Sequence, residues 1–146
     1  MNSTFQNQLT AKEINKGILV YLIKNFWIFL IFSIAIVVIL FVGTNNWNIL
    51  AVLLYLVLTL GITLIITFID LRRKMSPKKI ATYHLKKEML EIVSSNGEVT
   101  VHTYDQVKVI NSDILFVLFF TTTSFAIIAK RNLTEEQVAF LQDMSK

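Results

Sequence analysis

A charge-free stretch in the first half of the chain restricts its possible folds more than any other feature. Residues 25–69 contain no Asp, Glu, Lys, Arg or His at 45 consecutive positions. The whole chain is 16% charged, against roughly 25% in an average soluble domain. A water-soluble core does not require such a stretch. A bilayer does, because an uncompensated charge in hydrocarbon costs a few kcal/mol or more. We therefore expect this stretch to lie in a membrane.

Two apolar segments in this stretch have the length of membrane-spanning helices. They cover residues 26–42 and 49–69, and about 20 helical residues cross a hydrocarbon core of about 30 Å. The connection at 43–48 is rich in Gly and Asn, which favour turns, so an antiparallel hairpin is predicted. Trp27 lies at the start of the first segment and Trp47 lies in the connection. Both positions suit either the membrane interfaces or simple packing. A cleaved signal peptide is rejected, because the apolar run is too long and no small-residue cleavage site follows it.

Basic residues flank the predicted hairpin on both sides. Lys12, Lys16 and Lys24 precede the first span, and the connecting loop has no charge. Positive residues stay on the cytoplasmic side, so both termini of a multi-pass membrane protein are predicted to be cytoplasmic. The second flank supplies the candidate membrane-surface residues, which are Arg72, Arg73, Lys74, Lys78, Lys79, Lys86 and Lys87.

These seven basic residues lie within residues 71–87, where there is no acidic residue. They either only fix the topology or also contact anionic lipid, at about 1 kcal/mol per residue. Recognition of one headgroup requires donors that converge, and the sequence does not show convergence. We therefore expect weak, non-specific contact with anionic lipid headgroups. Nucleic acid is not expected as a partner, because few aromatic residues interleave with the basic ones.

Small and hydroxyl-bearing residues mark a possible contact between the two spans. Thr59, Thr63 and Thr67 recur every four residues in the second span, and the first span offers Ser33 and Ala35. Such residues let membrane helices approach closely. Alternatively, each Thr hydroxyl bonds the carbonyl four residues earlier and faces any direction. A transporter subunit is disfavoured, because neither span contains a carboxylate or a basic group.

The chain is predicted to have three parts. Residues 1–24 form a cytoplasmic segment whose first nine residues are polar and expected to be loosely ordered, followed by a helix that begins with a capping box of Thr10 and Glu13. Residues 25–74 form the hairpin. The single proline then breaks the second helix, and residues 75–146 form a cytoplasmic β-rich domain. The predicted fold class is membrane α+β.

The β-rich domain is predicted from alternation of apolar and polar residues. Asn96-Gly97 predicts a tight hairpin turn. A final helix begins at the cap Thr134 and places Leu141 on its apolar face, with Val138 and Met144. A small antiparallel sheet or partial barrel closed by this helix is expected. The predicted strands lie near Ile80–Leu85, 88–94, 99–104, 106–110, 114–120 and 125–130.

One passage offers an alternative, because residues 114–129 are uncharged and would be a third span if helical. The passage is short for a bilayer, and three Thr and one Ser lie at its centre. A third crossing would also place the acidic final helix outside the cell. A pair of fully buried strands is the better interpretation.

The order of these features resembles a known family. A capped helix, a two-span hairpin and a basic exit precede a β-rich tail containing Tyr83-His84-Leu85, Tyr104-Asp105-Gln106 and Ala129-Lys130-Arg131. This resembles the YcxB-like bacterial membrane proteins. The resemblance implies a C-terminal domain with a small pleckstrin-homology-type (PH-like) fold. Ala129 stands where the family usually has a proline. The family has no agreed activity, so the resemblance implies architecture and no chemistry.

No catalytic motif is found, and we expect a non-enzymatic protein without a cofactor. There is no cysteine, and His84 and His102 lack the spacing of a metal site. The first functional hypothesis is a membrane-anchored module whose cytoplasmic domain binds a protein partner or another copy of itself. The alternative is an immunity or stress-protection protein against a membrane-active bacteriocin or toxin. A neighbouring toxin gene would favour the second hypothesis.

Overall fold

A computed structural model describes residues 2–42, 48–75, 77 and 79–145. Over these residues the chain is α+β, with four helices and two small antiparallel sheets. Most of the predicted hairpin connection, including Trp47, lies outside the described residues, as does Lys78. The elements are β1 (Ser3–Gln8), α1 (Ala11–Lys24), α2 (Phe26–Phe41), α3 (Ile49–Lys74), β2 (Ile80–Leu85), β3 (Met89–Val93), β4 (Val99–Thr103), β5 (Lys108–Asn111), β6 (Leu115–Phe119), β7 (Phe125–Ala129) and α4 (Glu135–Asp143).

Two compact units divide the chain. The first, here called the β unit, combines Met1–Gly17 with Met75–Lys146, and the second, the helical unit, is Ile18–Lys74. The boundary falls inside α1. The β unit is therefore discontinuous in sequence, because the helical unit is inserted between β1 and β2.

The expectation that the first nine residues are loosely ordered is wrong. Ser3–Gln8 forms β1, which pairs antiparallel with β2 along its whole length, from Ser3 opposite Leu85 to Gln8 opposite Ile80. Phe5 and Asn7 are buried while their neighbours are exposed. The strand is therefore half-buried in the usual alternating way, but one of its two buried residues is polar. The helix after it begins as predicted, since the Thr10 and Glu13 side chains each bond the other's backbone N–H.

The β unit contains a four-stranded sheet of order β1-β2-β3-β4 and a three-stranded sheet of order β5-β6-β7. Strands β2 to β7 lie where the alternation predicts them, with ends within about two residues. The predicted Asn96-Gly97 turn joins β3 to β4. Gly97 adopts φ +86°, a left-handed conformation that a side chain disfavours.

The core of the β unit lies between the sheets and α4. All five residues of β6 are buried, and Leu141 of α4 packs into the same cluster as Phe116 and Leu118. Residues 114–129 thus form the β6–β7 hairpin, and the alternative of a third spanning helix is wrong. Thr134 begins α4 with a complete capping box, in which Gln137 takes the second part.

The helical unit differs from the β unit in having little buried core, because α2 and α3 pack together but leave most of their apolar surface uncovered. Ser33 and Val37 are the buried residues of α2, and α3 has none. Ile39 is 74% exposed and Leu50 is 77% exposed. Among the described residues, α3 is the one single helix that is long and apolar enough to cross a membrane by length and composition.

The chain bends sharply between α1 and α2. The two helices together meet the same length and composition criterion as α3, but they are bent by 62° at the break between them. Asn25 lies at the break and is buried, and its side-chain amide donates to the Tyr21 carbonyl oxygen at 3.0 Å. The backbone N–H of Asn25 donates to the same oxygen at 3.0 Å, so both nitrogens of Asn25 bond the last turn of α1.

Candidate functional site

The predicted membrane-surface residues are divided between the two units. Arg72, Arg73 and Lys74 form the basic last turn of α3. Lys79 directly precedes β2, while Lys86 and Lys87 lie in the turn between β2 and β3. Lys74 Nζ lies 2.6 Å from Asp70 Oδ2, one helical turn earlier, in an exposed pair. An exposed pair of this type is worth well under about 1 kcal/mol.

The β2–β3 turn is held by several contacts of Lys86. Its ammonium forms an ion pair with Glu91, which lowers the pKa of that carboxyl. Its backbone N–H donates to the Met89 carbonyl oxygen at 3.0 Å, and its carbonyl accepts from the Tyr104 hydroxyl at 2.8 Å. Lys86 therefore has a structural role in the turn, although its side chain is exposed, as is that of Lys87.

A polar concavity of about 430 Å³ lies beside this turn. On one wall, Thr4 Oγ1 lies 2.8 Å from His84 Nδ1, a hydrogen bond between β1 and β2. Hydroxyl, imidazole and ammonium groups of this kind can bind a small polar or anionic group. Sequence reasoning missed this concavity because one wall belongs to β1. Its lining is Asn2, Ser3, Thr4, His84, Leu85, Lys86, Lys87, Glu88 and Met89.

A second polar cluster in the β unit joins residues far apart in sequence. Arg131 Nε donates to Glu13 Oε1 at 2.8 Å, and Arg131 Nη2 donates to the Gln8 carbonyl at 2.7 Å. Glu13 is buried, and its hydrogen bond from Arg131 lowers the pKa of its carboxyl to about 2. A carboxylate bound to an arginine and to backbone N–H groups is fixed in its charged form. This cluster is therefore a clamp between the N-terminal segment and the residues after β7.

Asn7 completes the attachment of β1 to the second sheet. Its side-chain amide donates to the Ile127 carbonyl at 2.7 Å, and its side-chain oxygen accepts from the Ala129 N–H at 3.1 Å. Asn132 Nδ2 also donates to that oxygen, at 3.0 Å. Asn7 thus satisfies backbone groups of β7 with its side chain. This explains why a polar residue occupies one of the two buried positions of β1.

The predicted helix-pairing residues behave differently from one another. Ser33 is fully buried, as expected for a close approach between α2 and α3. Ala35 is exposed, so its predicted place in the contact is not observed. The physical reason is its spacing, because a residue two positions from Ser33 lies on nearly the opposite side of the helix.

The sequence left two alternatives open for the three threonines of α3, which were contact between the spans and a hydrogen bond within the helix. The structure combines the two. Each hydroxyl donates to the carbonyl four residues earlier, at 2.8 Å for Thr59, 2.7 Å for Thr63 and 2.8 Å for Thr67. All three are half-buried and follow the same helical stripe as the half-buried Val52 and Leu56. Their hydroxyls are satisfied within α3, so contact through this stripe depends on close packing rather than on hydrogen bonds between helices.

The two histidines occupy ordinary strand positions. His84 bonds Thr4, and the ring of His102 stacks on Phe120 at 3.9 Å between centroids. Burial lowers the pKa of His102. Within the part of the chain that the structure describes, no three His, Asp or Glu residues are grouped closely enough to hold a metal ion.

Comparison with known proteins does not assign the chain to a family. No family model, no curated protein and no solved structure matches it. The resemblance to the YcxB-like proteins therefore stays a prediction from the sequence.

Proposed function

We propose that this chain is a non-enzymatic integral membrane protein. The α2–α3 hairpin would anchor it in the bacterial inner membrane, and the β unit would act on the cytoplasmic side as a binding or self-association module. The observation that carries the proposal is the pairing of β1 with β2 on either side of the helical unit.

This pairing restricts how often the chain can cross a membrane. β1 and β2 share one sheet, so residues 8 and 80 must lie on the same side of any bilayer. The number of crossings between them is then even. If α3 crosses the membrane, a second crossing must lie between β1 and α3, and in this proposal α2, the apolar part of the bent α1–α2 pair, provides it. The sheet therefore supports a topology of two spans with both termini on one side, independently of the flanking charges.

The exposed surface of the helical unit supports the same proposal. Exposed isoleucine, leucine and valine continue along both α2 and α3. Monomeric soluble proteins rarely expose apolar patches larger than a few hundred Å². Lipid chains would cover this surface at no cost. The basic last turn of α3 would then lie at the inner leaflet, where positive residues favour cytoplasmic retention and gain about 1 kcal/mol each from anionic lipid.

The β unit supplies the surface for a partner. The sheet order places β4 at an edge, where it pairs only with β3 among the described strands. Val99 and Val101 on this strand are 54% and 55% exposed. An uncharged edge strand of this kind can pair with a strand of another chain. The four-stranded sheet, three-stranded sheet and closing helix also support the small pleckstrin-homology-type fold that the resemblance implies.

Labelling of single cysteines in intact cells tests the topology, and the natural chain helps because it contains no cysteine. Asn46→Cys should react with a membrane-impermeant maleimide from outside. Asn2→Cys and Gln142→Cys should react only after the membrane is permeabilised. Reaction of Gln142→Cys in intact cells would refute the cytoplasmic β unit. Opposite results for Asn2→Cys and Gln142→Cys would refute the β1–β2 pairing as well.

A further inference from the structure

The bend between α1 and α2 borders a small apolar notch in the helical unit. The notch has a volume of about 240 Å³. Apolar cavities of about 150 Å³ already hold a benzene-sized guest and exclude water. Its size and chemistry therefore suit several methylene groups. Its lining is Leu19, Leu22, Ile23, Phe26 and Leu64.

We propose that a phospholipid acyl chain occupies this notch, and that the second half of α1 lies in the membrane interface rather than crossing the bilayer. The proposal rests on the membrane anchoring proposed above. Its occupant is a lipid of the surrounding leaflet, recognised by its hydrocarbon and not by its headgroup.

The bend explains why α1 does not continue the span. A straight helix over residues 11–41 would run far longer than the about 20 residues that a bilayer requires. The 62° bend instead turns α1 away from the axis of α2. An interfacial helix exposes apolar residues along one stripe. Leu19 and Ile23 are one turn apart and are 53% and 66% exposed, so α1 has such a stripe beyond Gly17.

The position of the notch favours a lipid chain over another occupant. Leu64 precedes Asp70 by six residues, which places it about 9 Å from the charged end of α3 along the helix. That depth is just below the headgroups, where acyl chains begin. Phe26 of its lining is exposed and is followed in α2 by the exposed Trp27 and Ile28. A bilayer that covers those side chains would fill the notch with the same hydrocarbon.

Depth-dependent quenching by brominated phosphatidylcholine tests the inference in the full chain, reconstituted into vesicles. Trp27 and Trp47 are replaced by Phe, and a single Trp is introduced at Ile23 on the rim of the notch. We expect bromine atoms near the headgroup to quench Ile23→Trp more than bromine atoms near the chain end. The order should reverse for Ile34→Trp, near the middle of α2. Gln142→Trp on the exposed face of α4 gives the unquenched baseline.

A pair of equal substitutions separates the notch from the general interface. Leu64→Phe fills the notch and should reduce the quenching of Ile23→Trp. Leu58→Phe makes the same change at an exposed position outside the lining and should leave it unchanged. Equal quenching in the two variants would overturn the assignment of the notch.

The controls also distinguish this inference from the membrane anchoring on which it rests. If Ile34→Trp is not quenched, the anchoring itself fails. If Ile34→Trp is quenched and Ile23→Trp is not, only the present inference fails. In that case, emission at long wavelength would indicate water in the notch, and emission at short wavelength would indicate a second protein chain.

Discussion

The two units of this chain use the same apolar residue types in opposite ways. In the β unit, Phe116, Leu118 and Ile128 are completely buried between two sheets and a helix. In the helical unit, Ile39 and Leu50 are about three-quarters exposed, although both belong to well-formed helices. Hydrophobic composition alone therefore does not say where a residue lies. The proposed membrane anchoring would account for the difference, since a surface that is costly in water costs nothing in hydrocarbon.

The largest expected effect is a charge in the core of the β unit. Leu141→Asp places a carboxylate where Leu141 is now enclosed by the core, and we expect the unit to lose about 4 kcal/mol or more, enough to unfold it. Near-ultraviolet circular dichroism of the detergent-solubilised chain reports the loss. Gln142→Asp makes the same charge on the exposed neighbouring position and should have little effect. Similar spectra for the two variants would contradict the closing role of α4.

A charge on the exposed face of α2 tests whether that face contacts lipid rather than water. Ile34→Lys should reduce membrane insertion by about 3 kcal/mol, the cost of a lysine at the centre of a span. The amount of protein in the membrane fraction after alkaline extraction measures this. Thr100→Lys, also at an exposed position but in the β unit, should leave that amount unchanged. If Ile34→Lys is equally harmless, the exposed face of α2 does not contact lipid.

The clamp between Glu13 and Arg131 predicts a pH window for stability of the β unit. The pKa of Glu13 is lowered to about 2 from the ordinary 4.5, so its stabilisation is complete above pH 4.5 and is lost as the pH falls toward 2. We expect about 2 kcal/mol in total, allowing for the half-exposed guanidinium. Above pH 4.5 the natural chain should have a higher free energy of unfolding than Glu13→Gln, and this difference should decrease as the pH falls from 4.5 toward 2. A difference that is independent of pH would contradict the clamp.

Two glycines give the smallest effect and the most direct comparison of the units. A Cβ at Gly17 would lie 2.6 Å from Ile127 Cγ1 within the β unit, whereas a Cβ at Gly61 in α3 would meet nothing within 4 Å. Gly17→Ala should therefore cost about 1–2 kcal/mol through overpacking. Gly61→Ala should be neutral or stabilise α3 by up to about 1 kcal/mol. The melting temperatures of both variants, measured in the same detergent, would show this contrast. Equal shifts in melting temperature would contradict the close packing of Gly17 against Ile127.

Local sequence patterns predicted most of the β unit, because these patterns depend only on residues close together in the sequence. Alternation located β2 to β5, an uncharged apolar run located β6 and β7, and Asn96-Gly97 marked a turn whose φ at Gly97 is positive. β1 was missed because its buried Asn7 removes the hydrophobic signal and its partner β2 begins only at Ile80. Long-range pairing of this kind leaves no trace in a short window of sequence.

The candidate site was less predictable for the same reason. The basic residues were visible as a cluster, but the ion pair of Lys86 with Glu91 depends on the hairpin that brings them together. Arg131 was noted only as part of the resemblance, and its partner Glu13 lies 118 residues earlier. Asn25 was expected simply to begin the apolar stretch, and nothing in its neighbours indicated the 62° bend.

The interrupted first sheet also dictates an order of events during synthesis. Ser3–Gln8 leaves the ribosome early, yet its partner strand is made roughly seventy residues later, several seconds at about 5–20 residues per second. During that interval β1 has no complementary strand, and the chain between is completing both long apolar helices. Synthesis of those helices therefore precedes closure of the sheet. A ribosome that stalls before Ile80 would leave a chain with its apolar helices complete and a first strand that has nothing to pair with.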